Sequence, residues 1–370
     1  RIKNHVGVIE TYDGLSLEIL PKVHIGSRSV DLKGTKKIFY KMLRHLKNSP
    51  FVQLSFAHLD APENFPILEV FIRSYIHEVE NLFHQGIRHD YIVEESNIGY
   101  RRGRIKVNEN IRLNSTNKSK FYCEFSDFSP NHPLNRIIKT TLAKLTRIVR
   151  SHQNNYTISK LLTFVDDVPT SNDIKSDLKS INLASTMMRK YAVLVKWSEI
   201  FLLNRSFSNF HGSNQNLAIL FPMERVFEDY IGFVIQRYGE GYQIKVQDKS
   251  YFLVEHRNTQ RFGLKPDFVI NKPPAKRKVI DTKWKLLDQT ADRRNYNITQ
   301  ADMYQLYAYG KKYALAGDHP RLVLLYPANP QFTKRLSEFV YEGDLKLDII
   351  PFDITADERE QILRIISENI

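Results

Sequence analysis

Two short apolar segments, Leu264-Lys-Pro-Asp-Phe-Val-Ile270 and Lys278-Val-Ile-Asp-Thr-Lys-Trp284, each carry a single carboxylate and are joined by the Pro-rich stretch Asn271-Lys-Pro-Pro-Ala-Lys-Arg277. Their β-branched and aromatic content predicts strands, and the prolines predict the turn between them. A charge inside a strand that packs on a core is costly unless it is paired or ligates a metal. Whatever this chain folds into must therefore give Asp267 and Asp281 a partner. Period-two alternation puts Val279, Asp281 and Lys283 on one face and Ile280, Thr282 and Trp284 on the other. One reading is a structural Asp281 to Lys283 salt bridge on a half-exposed sheet. The other is convergence of Asp267 and Asp281, on adjacent antiparallel strands, on one divalent cation.

Flanking segments favour the second reading. Pro222 opens a predicted helix that runs to about Tyr238, before Gly239, with Met223, Val226, Phe227, Tyr230 and Val234 as its apolar stripe. Glu228 lies at the border of that stripe and Glu224 one turn earlier on the same side. Glu228 is the third candidate carboxylate, approaching from the helix. Oxygen ligands without His or Cys suit Mg²⁺, with Mn²⁺ as the alternative. Lys283 would stand beside the metal, orienting or deprotonating water and offsetting charge on a pentacovalent phosphate. That combination describes phosphodiester hydrolysis. Downstream, Thr299 and Asp302 form a predicted capping box, and Gln305 and Tyr309 share a face of the helix it opens. The Gln305 and Tyr309 pair could contact a phosphate backbone or simply pack against the sheet. Leu322 to Tyr326 and Leu345 to Pro351 read as further strands, and Thr355 with Glu358 as the capping box of a last helix.

The chain has 370 residues, with 54 Lys and Arg against 41 Asp and Glu, a net charge of +13. Such a surplus favours a polyanionic partner, of which nucleic acid is the commonest and double-stranded DNA one form. It is locally dense at Lys276, Arg277 and Lys278 in the inter-strand turn and at Arg293 and Arg294 before the Gln305 helix, the candidate DNA contacts. The one cysteine, Cys123, excludes an internal disulfide framework and a Cys-rich zinc site, which fits a reducing cytoplasm. No run of 18 apolar residues exists, so neither a membrane span nor a signal peptide is predicted.

The first half reads differently. His5 to Ile9 and Leu15 to Leu20 flank Asp13-Gly14, a hairpin signal. Helical periodicity follows over residues 66 to 86, 134 to 149 and 182 to 203, with a polar, β-like stretch at 95 to 125. The segment Gly99-Tyr-Arg-Arg-Gly-Arg-Ile-Lys106 concentrates cations that could cradle phosphate, dock on an acidic protein surface, or form a solvated turn. Asn, Ser and Gly enrichment over 204 to 216 places a domain boundary at 205/206. The predicted class is mixed α/β, with an N-terminal β and helical domain over 1 to 205 and an α/β domain over 206 to 370.

The order helix with Glu228, strand with Pro266-Asp267, strand with Asp281-Thr282-Lys283, helix with Gln305 and Tyr309 resembles the PD-(D/E)xK nuclease superfamily. Within it, Lys265-Pro-Asp-Phe-Val-Ile270, Val279-Ile-Asp-Thr-Lys-Trp-Lys285 and Asp302-Met-Tyr-Gln-Leu-Tyr-Ala-Tyr309 resemble the McrC family. His5-Val-Gly-Val-Ile9, Ile19-Leu-Pro-Lys22, Gly103-Arg-Ile105 and Leu134-Asn-Arg-Ile-Ile-Lys139 are similar to segments of the same family. The resemblance implies a Mg²⁺-dependent DNA endonuclease subunit of a methylcytosine-directed restriction system. It further implies a hexameric McrB-type AAA+ GTPase partner, engaged and stimulated through the N-terminal half, where Arg101, Arg102 and Arg104 are candidate contacts. GTP enters only through that partner, since this chain has no Gly-x-x-x-x-Gly-Lys-Ser/Thr loop. Asp267 and Asp281 match the metal-binding acids, Lys283 the catalytic lysine and Glu228 the helix acid. Thr282 stands where the family usually has Ala, on the side expected to face away from the site. Two cuts on a duplex need two sites, so nuclease domains could pair. The competing readings are a stand-alone nuclease of the superfamily and an inactive regulator of an AAA+ ring.

Overall fold

The computed structural model describes residues 4–11, 13–25, 28–29, 32–53, 65–183, 188, 191–203, 215–273, 275–314 and 319–367. The first strand, β1 (His5–Thr11), turns through Asp13-Gly14 into β2 (Ser16–Ile19), as the Asp-Gly signal predicts, with Gly14 at φ 83°. A two-stranded ribbon, β3 (His24–Ile25) and β4 (Arg28–Ser29), leads to α1 (Leu32–Leu43) and α2 (Ile67–His84). Next come β5 (Asp90–Ile98), β6 (Arg104–Ile105), α3 (Val107–Asn114) and β7 (Phe121–Ser129), the strands pairing in the order β5-β7-β6. The stretch read as wholly β-like thus contains a short helix. Its apolar residues Val107 and Ile111 stay exposed, so no core-facing stripe marks it in the sequence.

Helices α4 (Pro133–Leu145), α5 (His152–Phe164), α6 (Ile174–Ser180) and α7 (Ala192–Leu203) complete the helical region. The helix expected over 182 to 203 is observed from Ala192. The expected 205/206 boundary lies outside the described residues. Beyond it, β8 (Gln215–Pro222) returns to the start of the chain and pairs antiparallel with β1, His5 opposite Pro222. Phe221 at its end packs with Phe51 and Phe71 at ring separations of 5.0 and 6.1 Å, and Phe51 meets Trp197 edge-on at 4.9 Å. One continuous core therefore runs from this aromatic cluster into the helix that follows β8.

That helix, α8 (Met223–Tyr238), is capped by Pro222 and buries Met223, Val226, Phe227, Tyr230, Ile231, Val234 and Ile235 completely. Each such side chain contributes about 1.5–3 kcal/mol relative to exposure. The remaining elements are β9 (Gln243–Val246), β10 (Phe252–His256), β11 (Thr259–Gly263), β12 (Phe268–Lys272), β13 (Ala275–Thr282), α9 (Gln300–Lys312), β14 (Arg321–Pro327), β15 (Phe339–Tyr341), β16 (Leu345–Phe352) and α10 (Glu358–Ser367). Six strands form a mixed sheet in the order β15-β16-β14-β13-β12-β9, with β13, β14 and β16 parallel and β12 antiparallel to β13. Even-numbered Phe268, Ile270 and Ile280 pack with α8 and α10. Odd-numbered Val269 and Val279 pack with Leu306 and Tyr309 of α9 and with Tyr313 just after it. The sheet is thus covered on both faces, and its strands read as short apolar runs for that reason.

Two local expectations are corrected. The strand expected from Leu264 begins at Phe268, because Pro266 has no N–H to donate to a ladder. Thr355 does not cap the last helix: its N–H and hydroxyl both donate to Asp353 Oδ1, at 2.8 and 2.6 Å, while Asp357 accepts from Glu360 N at 2.9 Å.

The β1–β8 pairing has a sharp test. Gly7 sits at φ +140°, where a Cβ would come within 2.0 Å of the Ile219 carbonyl oxygen. Gly7→Val should cost about 1–3 kcal/mol by overpacking that contact, read as a lowered denaturant midpoint. An unchanged midpoint would show that β1 does not pair with β8 in this register.

Candidate active site

The β12–β13 register sets Phe268 opposite Ile280, and carried one residue further it sets Asp267 opposite Asp281. Like charges directly opposite one another on a sheet repel. Both carboxylates lie on the α9 face, where the strands leave the covered part of the sheet. Asp281 is buried, with 2% of its surface exposed, and Asp267 is partly buried. Burial, reinforced by the Asp281 charge, pushes the Asp267 carboxyl up to about 6. Burial also raises Asp281, against the pull of the neighbouring Lys283.

Each acid has a defined anchor. Thr282 donates both its backbone N–H and its hydroxyl to Asp267 Oδ2, each at 2.7 Å. The expectation that Thr282 faces away from the site is therefore incomplete. Alternation alone assigns its side chain to the α10 face, but the hydroxyl reaches the Asp267 carboxylate that precedes the neighbouring strand. Asp281 Oδ2 lies 2.5 Å from Lys283 Nζ, and among the described residues no other donor serves that buried oxygen. Lys283 holds its place because its N–H continues the ladder to Leu325 O at 2.9 Å. Burial alone would lower the Lys283 ammonium, but the Asp281 carboxylate outweighs it and keeps Lys283 charged.

From Lys283 a directed chain runs into α9. Nζ donates to Gln305 Oε1 at 3.0 Å, and Gln305 Nε2 donates to the Tyr309 hydroxyl at 2.7 Å. Because an ammonium only donates, the Gln305 amide has one orientation. Burial and then the Asp281 charge push the Tyr309 phenol up, so it stays protonated. Thr299 caps this helix as predicted, accepting from Asp302 N. A second ion pair, Lys285 to Asp302 at 2.7 Å, lies alongside, and the Tyr326 hydroxyl touches Asp302 at 3.4 Å. Asp302 is visible in the sequence only as a cap partner. The alternation that carries Lys283 also carries Lys285, which is the signal that could have found the second pair.

Glu228 is partly buried on α8 and accepts from Gln247 Nε2 at 2.5 Å. Burial raises its carboxyl, and the charge on Asp267 raises it further, which places it within electrostatic reach of the pair. Gln247 follows β9, donates its N–H to Asp267 O at 2.7 Å and adopts φ 49°. It thereby ties Glu228 to the Asp267 strand, a role nothing in the sequence marks. Glu224 instead is exposed and accepts from Asn4 at 3.3 Å. Among the described residues no group of three His, Cys, Asp or Glu side chains converges as a metal-ligand set. Asp267 and Asp281 are the two carboxylates that could hold a cation, with Glu228 outside them.

The candidate DNA contacts separate. Arg293 and Arg294 are exposed on a 3₁₀ segment before α9. Arg277 is partly buried and donates to Tyr313 O at 3.2 Å, closing the C-terminus of α9. Lys278 is a correction: it is buried, with 6% exposed, and donates to Ile365 O at 2.9 Å at the end of α10. Even parity turns it to the face opposite Asp281, away from any groove. The Lys276 side chain lies outside the described residues. Arg102 pairs with Asp127 at 2.6 Å and stacks over Phe125, whereas Arg101 and Arg104 are exposed.

A family model described as McrBC 5-methylcytosine restriction system component matches residues 1–327. The chain belongs to this McrBC family. The matched span ends with β14 and includes Glu228, Asp267, Asp281, Lys283 and Gln305. No curated protein matches the chain. Among solved structures, a chain of the refined half-complex from the tetradecameric assembly of Thermococcus gammatolerans McrB AAA+ hexamers with bound McrC is similar at a TM-score of 0.71. The identity is 16%, over 98% of this chain and 82% of that one. A chain of the cryo-EM structure of the Thermococcus gammatolerans McrBC complex is similar at a TM-score of 0.50 and 16% identity, over 66% of this chain and 69% of that one. At such identity the likeness shows a shared mixed α/β fold. Among the described residues no helix is long and apolar enough to cross a membrane.

The raised Asp267 carboxyl has a signed consequence. The folded state holds this proton more tightly than an ordinary carboxyl, whose pKa is 3.8, so the associated stability is full below pH 3.8 and is lost as the pH rises through about 6. In EDTA, Asp267→Asn, which is neutral throughout, should therefore gain stability relative to the parent between pH 4.5 and pH 7.5. Urea midpoints at the two pH values measure this. A difference that does not grow with pH would contradict the buried like-charge pair.

Proposed function

We propose that the chain is the Mg²⁺-dependent DNA endonuclease subunit of a methylcytosine-directed restriction complex, acting with and stimulating a McrB-type AAA+ GTPase hexamer. Membership of the McrBC family supports the system. The assembly of McrB AAA+ hexamers with bound McrC, in the similar Thermococcus structure, supports the partner. The observation that carries the nuclease role is the juxtaposition of Asp267 and Asp281 across β12 and β13 with Lys283 on the same face. A buried and a partly buried hard carboxylate that repel each other, one with an oxygen served among the described residues only by an ammonium, form a donor set that a divalent cation would complete.

Asp267 and Asp281 would hold Mg²⁺, or Mn²⁺ in its place, with Glu228 at the edge. When bound, the ion supplies activation of water and neutralisation of charge on the phosphate. The remaining work belongs to side chains of this chain. Thr282 fixes the Asp267 carboxylate by two hydrogen bonds, so its orientation is set before a cation arrives. Lys283 carries a positive charge beside the pair, available to orient water and to offset charge developing on phosphorus. Gln305 holds that ammonium from α9, and Tyr309 holds Gln305. GTP acts only through the partner. Arg104, exposed on β6, and Arg101, exposed just before it, are the candidate partner contacts, and pairing of two such chains would supply two cuts on a duplex.

The test mixes the chain with its AAA+ partner, GTP, Mg²⁺ and a methylated duplex. Asp281→Asn and Lys283→Ala should each reduce cutting roughly hundredfold or more while complex formation and stimulated GTP turnover persist. Wild-type cutting by either variant would overturn the nuclease site. Thr282→Val keeps the backbone donor and loses the hydroxyl, so it should weaken Mn²⁺ binding by about 10–100-fold in calorimetry, with Thr282→Ser restoring it. Equal affinities for parent and Thr282→Val would remove Thr282 from the site.

A further inference from the structure

Between β9 and β12 the chain makes an excursion that the sheet does not need. β10 and β11 form a two-stranded antiparallel ribbon, Val254 opposite Arg261 and His256 opposite Thr259, and every residue from Leu253 to Gly263 is exposed. Among the described residues the ribbon joins no other strand. Its base is fixed: Leu264 N donates to Tyr251 O at 2.9 Å, and the Tyr251 ring meets Tyr313 edge-on at 4.6 Å. Its exit leads within three residues to Asp267, and the Tyr309 hydroxyl lies at the backbone of Lys265. The ribbon therefore springs from the rim of the site.

Its local chemistry works against its own stability. His256 and Thr259 bracket a two-residue turn made by Arg257 at φ 50° and Asn258 at φ 56°. A turn with both central residues left-handed favours Asn-Gly or Asp-Gly, and an Arg at its first position is strained. Phe262 is also left-handed, at φ 57°, and is 74% exposed, beside exposed Leu253 and Val254. Strain and exposed apolar surface in one hairpin, where Gly, Asn and polar residues would be easier, point to function. Residues 249 to 265 hold four Lys or Arg against one carboxylate. At about 3.4 Å per residue the ribbon projects roughly 17 Å. A two-stranded ribbon fits the major groove of a duplex.

We infer that β10–β11 is a DNA-gripping ribbon that holds duplex beside the Asp267 and Asp281 site, with Arg257 and Arg261 on phosphates and Phe262 as an apolar contact. This rests on the endonuclease reading and names the element that delivers its substrate.

The full chain in EDTA, titrated against a fluorescent 30-base-pair duplex at stepped salt, tests it. Arg257→Asn with Arg261→Gln should weaken binding roughly tenfold near 0.1 M salt and reduce the salt slope by about 2. Phe262→Ser should weaken binding about threefold with the slope unchanged. Arg257→Asn alone should not lower the melting temperature, because it relieves a strained turn, so lost binding cannot be ascribed to unfolding. Parental affinity and salt slope in all three variants would overturn the proposal. So would unchanged DNA binding accompanied by weaker association with the AAA+ partner or with a second copy of the chain, which would make the ribbon a protein contact. Asp281→Asn separates the two levels: if it cuts, the site reading fails, and if it is dead while the ribbon variants bind as the parent does, only the ribbon proposal fails.

Discussion

Two carboxylates held face to face across a pair of strands are the constraint on which the C-terminal half is organised. Asp267 and Asp281 would separate if their strands were free to slip, and a one-residue slip would send one of them to the opposite face. Slippage is opposed on both sides. Phe268, Ile270 and Ile280 are locked under α8 and α10, and Val269 and Val279 under α9. The like-charge repulsion, of a kind that costs individual sheets stability, is borne by two full layers of buried apolar contact. Thr282 and Lys283 then act locally, one fixing Asp267 through a carboxylate oxygen and the other balancing Asp281.

The N-terminal half is part of that framework. β8 begins the path to the site but completes the sheet of β1 and β2, and Phe221 at its end belongs to the aromatic cluster of Phe51, Phe71 and Trp197. The next residue but one opens α8, which carries Glu228 and covers one face of the six-stranded sheet. A helix whose first turn is set against the aromatic cluster and whose face covers the sheet, within one continuous core, fixes where Glu228 stands relative to Asp267. Asn4 adds to this by contacting Glu224, which leaves Glu228 as the acid turned towards the strands.

What was legible in the sequence follows from the range of each interaction. Alternation over three residues places Asp281 and Lys283 together, and helical spacing over four places Gln305 with Tyr309, because these patterns are properties of single elements. The Thr299 cap and the Asp13-Gly14 turn are equally local. Contacts between elements were harder. Thr282 alternates away from the site, yet at the last residue of β13 its hydroxyl reaches Asp267. Lys278 looks like a loop cation by proximity, yet strand parity sends it under α10 to a carbonyl at Ile365. Gln247 acts through a left-handed backbone position that no side-chain pattern announces. For α10, the Thr355 signal was real chemistry spent on Asp353, and Asp357 three residues before Glu360 was the better reading.

The charge of the chain gains a location from these placements. Lys278 and Arg277 are committed to the ends of α10 and α9, so the turn between β12 and β13 offers a duplex less positive charge than its sequence suggests. The turn also lies at the far end of β13 from Asp281, at least six residues or roughly 20 Å along the strand. Arg257, Arg261 and Lys265 are exposed along the ribbon and the segment that leads from it into Asp267. A polyanion attracted by the overall surplus would meet exposed cations there. Long-range charge brings DNA to such a surface, but only charge held on a rigid base beside the reacting groups can position it. The Tyr251 and Tyr313 contact gives the ribbon that base, which is why its exposure and strain are better understood as reach than as disorder.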